Sequence, residues 1–194
     1  MVSKPFSRIA LLSLVVSIPL YAGEDESPRY VGVAKCEICH ATDDIGNQVA
    51  IWKSSAHARA FESLLTEEAK SIAREWGLTS PPHEAPECLE CHVTGYGLDS
   101  SRFKYPLVKE DGVQCESCHG PGSEYRKIDI MLDSTLSRAN GLILPTEETC
   151  AQCHNERSPK FKPFTFEELV KRIEHRVPEG FEWEEEEEEE ESLW

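Results

Sequence analysis

The eight cysteines of this 194-residue chain fall in four pairs of one spacing: Cys36 and Cys39, Cys88 and Cys91, Cys115 and Cys118, Cys150 and Cys153. A histidine directly follows each pair: His40, His92, His119 and His154. No cysteine is left over. The pattern C-x-x-C-H marks covalent attachment of a c-type haem. Two thiols add across the two vinyl groups on one porphyrin edge, and the adjoining imidazole then lies beneath the iron. Paired C-x-x-C also builds zinc ribbons, and thiols can join as disulfides. Neither chemistry needs a histidine after every second cysteine. The expected cofactor is therefore haem c, four per chain, with the four bracket histidines as proximal iron ligands.

Each iron has a second axial position, filled in electron carriers by His or Met. The spare histidines are His57, His83 and His175, and outside Met1 the one methionine is Met131. Seven histidines are one short of the eight that four bis-histidine haems require. One haem is then open, takes Met131, or borrows a ligand from another chain. His57 is flanked by Ala56 and Ala58, small neighbours that let a flat ring system approach. His83 lies in a Pro-rich loop five residues before Cys88. His175 lies opposite the stripe of Phe166, Leu169, Val170 and Ile173, so its helix would meet core on one side and haem on the other.

The elements that must position these groups read as mainly α with much irregular loop. Residues 48–77 predict one amphipathic helix, with Ile51, Phe61, Leu65, Ile72 and Trp76 near one face. Pro81, Pro82 and Pro86 end it in a loop. Residues 101–109 predict a short extended stretch, and 125–148 carry little pattern. Thr165 and Glu168 form a capping-box pattern for a last helix over 166–176. The first cysteines of the brackets are 52, 27 and 35 residues apart. That unevenness points to separate sites in one domain rather than copies of one structural unit.

Composition agrees. Apolar residues make up 39% of the chain, below the roughly 45–50% of ordinary globular proteins, a range that also counts Gly. Haems would supply the missing core. Residues 1–22 read as a secretory signal: Lys4 and Arg8, then an apolar run over 9–20, then Ala22. That run is short for a bilayer span, so membrane contact is expected only if the leader stays uncleaved. The destination is the periplasm or another exported compartment. Residues 23–181 form the tetrahaem domain, and 182–194 an acidic tail expected to be disordered, with eight consecutive glutamates from Glu184 to Glu191. The whole chain has 36 acidic against 20 basic residues, a net charge of -16. Such a balance argues against nucleic-acid binding and favours redox partners with basic docking patches.

The combination of motifs resembles the tetrahaem cytochrome c-554 family over most of residues 30–182. The matching segments begin with Trp52-Lys53, Ala56-His57-Ala58-Arg59-Ala60 and Glu62-Ser63-Leu64. They continue at Cys88 to His92 with Val93, Gly95, Tyr96 and Gly97. The most specific run is Gly112-Val113, then Cys115-Glu116-Ser117-Cys118-His119-Gly120-Pro121-Gly122. Cys150 to His154, Ser158-Pro159 and Phe164 to Val170 complete the set. The resemblance implies a mostly helical, haem-packed domain with stacked haem pairs, His57 and the C-terminal-helix His175 as distal ligands, and a five-coordinate haem at His92. It implies electron transfer of the kind in which a family member accepts electrons from hydroxylamine oxidoreductase. The chain departs from the family after the Gly120-Pro121-Gly122 turn, where Ser123-Glu124-Tyr125-Arg126 holds no histidine. His83 has no family counterpart. It either replaces the absent ligand, on the haem of His40, or caps the haem of His92 and leaves His40 open.

The leading expectation is an electron carrier. No catalytic constellation stands beyond an open iron. A reductase of small molecules such as nitric oxide at a five-coordinate haem is the second reading, and a subunit of an extracellular cytochrome filament the third.

Overall fold

A computed structural model describes residues 27–180; the expected leader and acidic tail lie outside them. The helices, in chain order, are α1 (Val33–His40), α2 (Gln48–Ser54), α3 (Ala60–Ser63), α4 (Glu67–Glu75), α5 (Pro86–His92), α6 (Glu116–His119), α7 (Ile128–Met131), α8 (Ser134–Ala139), α9 (Glu147–Ala151) and α10 (Phe166–Val170). All are short, and irregular segments join them. Among the described residues there is no strand, only a single bridge between Tyr30 and Phe103. No helix among them is long and apolar enough to cross a membrane.

Local chemistry sets the boundaries. Asn47 caps α2 through Ala50 N–H, Thr66 caps α4 through Ala69 N–H, and Asp133 accepts from Thr135 and Leu136 N–H at the start of α8. Each cap satisfies donors that a helix start leaves orphaned. Glu67 and Glu68 add favourable charge to the first turn of α4. Pro86 opens α5, where its missing N–H costs nothing.

Three expectations change. The helix expected over 48–77 is three helices, α2 to α4. Ser55 leaves the α2 end in an extended conformation, and the Arg59 guanidinium reaches back to the carbonyls of Lys53 and Ser54. His57 therefore sits in a tight connection, not on a helix face. The extended stretch expected over 101–109 is cut short by 3-10 turns at Ser100–Arg102 and Lys109–Asp111, and what remains of it is seen at Phe103, bridged to Tyr30, and at Val108. The last helix does start with the Thr165/Glu168 capping box, but it ends at Val170, so His175 follows the helix and is not carried on it.

Apolar packing is thin. Among the described residues the one buried hydrophobic cluster is Phe61, Leu64 and Leu89, with Cys88 and Val93 against it. Polar burial does comparable work. The Glu116 side chain is 2% exposed, and its carboxylate accepts from the N–H groups of Val31 (2.9 Å), Gly32 (2.8 Å) and Gly122 (2.7 Å). Gln114 Oε1 accepts from Val33 N–H at 2.8 Å. These two side chains tie the entry to α1, and so the first bracket, to the third.

Candidate haem-binding sites

Within α1, α5 and α6 the helical turn aims one bracket's groups at a common side, since residues three and four apart share a face. Cys36, Cys39 and His40 lie on α1, and Cys88, Cys91 and His92 on α5. In the third bracket Cys115 is the N-cap of α6, and His119 N–H donates to Cys115 O at 2.9 Å. The fourth starts on α9 and finishes in the following turn, where His154 N–H donates to Cys150 O at 2.9 Å. All eight thiols are unbridged. Nor do any three His, Cys, Asp or Glu side chains among the described residues converge as a closed tetrahedral metal site requires.

The histidines are oriented as iron ligands should be. Nδ1 of His92 lies 2.7 Å from Ala60 O, that of His119 3.0 Å from Ile143 O, and that of His175 2.9 Å from Ile173 O. A carbonyl oxygen can only accept, so each Nδ1 carries the proton and Nε2 keeps its lone pair. His40 Nδ1 is 3.2 Å from Gln48 Oε1, while the Gln48 amide N–H is held by Ile45 O. Burial pushes His57, His119 and His154 below the ordinary histidine range. The charge of His154 adds to this at His57, and those of His175 and His40 add to it at His119, where the Ile143 carbonyl opposes. The neutral, ligating form is thereby favoured.

Two pairs of rings face each other. His57 and His154 have ring centres 6.0 Å apart, and His119 and His175 5.8 Å apart. A metal–imidazole bond is about 2 Å, so two imidazoles across one iron hold their ring centres about 6 Å apart. Both pairs fit that span. Phe164 closes the edge of His154, with ring centres 5.9 Å apart. His57 is held by its backbone: Val113 N–H donates to His57 O at 3.0 Å. Gly112, at φ +65°, lets the two segments meet, because a Cβ there would lie 2.6 Å from His57 O. The other end of the chain is seated at Gly46, φ +97°, where a Cβ would run into the Arg176 carbonyl.

His83 is brought to no other histidine. Its Nε2 is 3.5 Å from Glu84 Oε1, and its Nδ1 is buried without a partner. Met131 ends α7.

The brackets adjoin one another. The Cys36 and Cys115 thiols share a hydrogen bond, which raises the first and lowers the second. Cys91 and Cys153 lie within hydrogen-bond reach, and Cys118 is close enough for the charges of Cys150 and Cys153 to couple to it. Burial holds Cys118 up at about 11 and Cys153 at about 12. Both stay protonated thiols at neutral pH until they are linked. The contacts order the brackets by histidine as His40, His119, His154, His92.

The surroundings suit large flat apolar groups. Ile38 inside the first bracket is 68% exposed, and Ile143 and Leu144 beside His119 are 49% and 58%. Such side chains stand open unless something apolar covers them. Arg126 Nε is buried with no acceptor, and its charge reaches Cys36 and Glu116. A haem propionate would satisfy such a donor. Sequence reasoning missed Glu116 and Gln114. A buried carboxylate inside C-x-x-C looks in the sequence like any solvated glutamate.

A family model described as cytochrome c554 and c-prime matches residues 35–120. Cytochrome c-554 of Nitrosomonas europaea is 31% identical over 189 residues, covering 78% of this chain and 77% of that protein. No solved structure matches.

Proposed function

Because the chain belongs to the cytochrome c-554 family and is thus a haem c electron-transfer protein, we propose that it carries four haems and passes electrons along them between exported redox partners. Covalently held haems supply one-electron carriers of adjustable potential. The observation that carries the reading is the closeness of the brackets: Cys36 with Cys115 and Cys91 with Cys153 lie within hydrogen-bond reach, and Cys118 lies within electrostatic range of Cys150. That closeness supports a single row of haems through the domain. The chain's own residues fix that row. Glu116 and Gln114 lock the first bracket to the third. Gly112 and Val113 set His57 toward the fourth. The Nδ1 bonds to Ala60 and Ile143 prevent ring rotation at the second and third.

The sequence of residues 1–22, which reads as a secretory leader, supports an exported compartment, since haem is joined to C-x-x-C-H outside the cytoplasm in exported cytochromes. Partners follow from charge. At a net -16, the protein is attractive to a basic docking face, and complementary charge speeds encounter.

The test is a haem assay and a rate. Pyridine haemochrome analysis of the mature holoprotein should give four haems per chain. Electron transfer to a basic cytochrome used as probe should slow roughly tenfold or more between low and high ionic strength, as screening removes the attraction. A rate flat across that range would rule out docking by charge, and a haem count of two or fewer would sink the four-carrier reading.

A further inference from the structure

We propose that the haem at Cys36, Cys39 and His40 has no protein ligand in its sixth position, so that this site, like the one at His92, accepts a small exogenous ligand such as carbon monoxide or nitric oxide. The proposal rests on the four-haem reading above. It goes beyond the histidine count of the sequence, which leaves one open iron, not two.

The argument is an accounting of rings. Four of seven histidines adjoin the brackets. His57 faces His154 and His175 faces His119, at separations that suit one iron each. His83 alone remains. Its ring touches neither His40 nor His92; it faces Glu84 within its own Pro81–Pro86 loop. His40 and His92 are nevertheless prepared as ligands. Their Nδ1 atoms are anchored on Gln48 and Ala60, as His119 is anchored on Ile143. Both have the supports of a proximal ligand, and neither has an opposing ring. The position is informative too. In the order set by the thiol contacts, His40 and His92 stand at the two ends and the two paired irons in the middle. The interior of the row is closed by protein on both axial sides, and its ends are open to small molecules. A ligand bound at an end would change the potential of an entry or exit haem without touching the interior pair.

The experiment uses the full holoprotein with four haems confirmed by pyridine haemochrome. Carbon monoxide titration of the reduced protein should saturate at two molecules per chain, and electron paramagnetic resonance of the oxidised protein should show two low-spin and two high-spin haems. His83→Ala should leave both readouts unchanged. His57→Ala should raise carbon monoxide binding from two to three, which proves that the assay counts each opened iron. His175→Ala serves the same purpose should the first variant not take up four haems. Saturation at one or none, a third low-spin signal, a methionine-to-iron charge-transfer band, or a gain in carbon monoxide binding in His83→Ala would overturn the proposal. Any of these in a protein that still carries four reversibly reducible haems leaves the electron-transfer reading intact. A deficient haem count would strike that reading instead.

Discussion

Residues 27–140 contain every buried side chain among the described residues, and from Gly141 to Gly180 none is buried. The two regions nevertheless share the ligands evenly: each of the facing histidine pairs takes one ring from each region. The first region holds itself together through the Phe61, Leu64 and Leu89 cluster and the Glu116 hydrogen bonds. The second reaches the first through His154, His175, the Ile143–His119 backbone bond and a few exposed ion pairs. The first part of the chain thus buries side chains of its own, and the second buries none among the described residues. The matched family segment, 35–120, falls wholly in the part that buries side chains.

The largest expected effect comes from removing the support of the first region. Glu116→Ala leaves the N–H groups of Val31, Gly32 and Gly122 buried without acceptors. Each orphaned donor costs about 1–3 kcal/mol, so the total exceeds the usual range for one substitution. Burial pushes the Glu116 carboxyl upward, and the Gly122, Gly32 and Val31 N–H groups with Arg126 pull it back without cancelling the rise. The donors it satisfies are what its removal would orphan. Glu116→Gln, which keeps one acceptor oxygen, should fall between wild type and Glu116→Ala in thermal unfolding of the holoprotein. Equal stability of all three would show that the first region does not depend on this anchor.

The second effect isolates the second region. Cys150→Ser with Cys153→Ser should lower the haem count from four to three. It should also raise the rate of limited proteolysis within 141–180 roughly tenfold or more, the ratio that about 1.4 kcal/mol of lost local stability produces. Cleavage within 27–140 should hardly change. Equal acceleration in both regions would dissolve the contrast between them.

Legibility divides along the same line. The candidate haem attachment residues were legible in the sequence, because covalent attachment would require a spacing that no fold can alter. The candidate distal residues His57 and His175 were legible as residues but not as geometry. Both were assigned to helices, and both lie in connections, where caps and carbonyl contacts outweigh apolar periodicity. The partner of each was not readable, since pairing of His57 with His154 spans the chain. Glu116 and Gln114 were invisible because burial of a polar group leaves no trace in a local pattern. The one long helix expected over 48–77 failed at Ser55, where a side chain six residues away (that of Arg59, from Lys53) bonds the end of α2.

The smallest effect concerns the ion pairs that join the regions. Arg157 Nη1 lies 3.1 Å from Glu90 Oε2 and Lys160 Nζ 2.5 Å from Glu68 Oε1, and all four side chains are at least half exposed. Solvent screens such pairs, and ordering two long side chains opposes the attraction. An exposed pair contributes about 0–1 kcal/mol. Arg157→Ala and Lys160→Ala should therefore each leave thermal unfolding of the holoprotein and proteolysis of 141–180 close to wild type, and the double variant should be nearly additive. The measurement has force because these pairs are the natural rival explanation for how an unburied segment stays in place. If the double variant released 141–180 as readily as loss of the fourth bracket does, surface charge and not haem would be holding the second region. If it does not, the histidine pairs across the irons are the joint between the two parts of the chain.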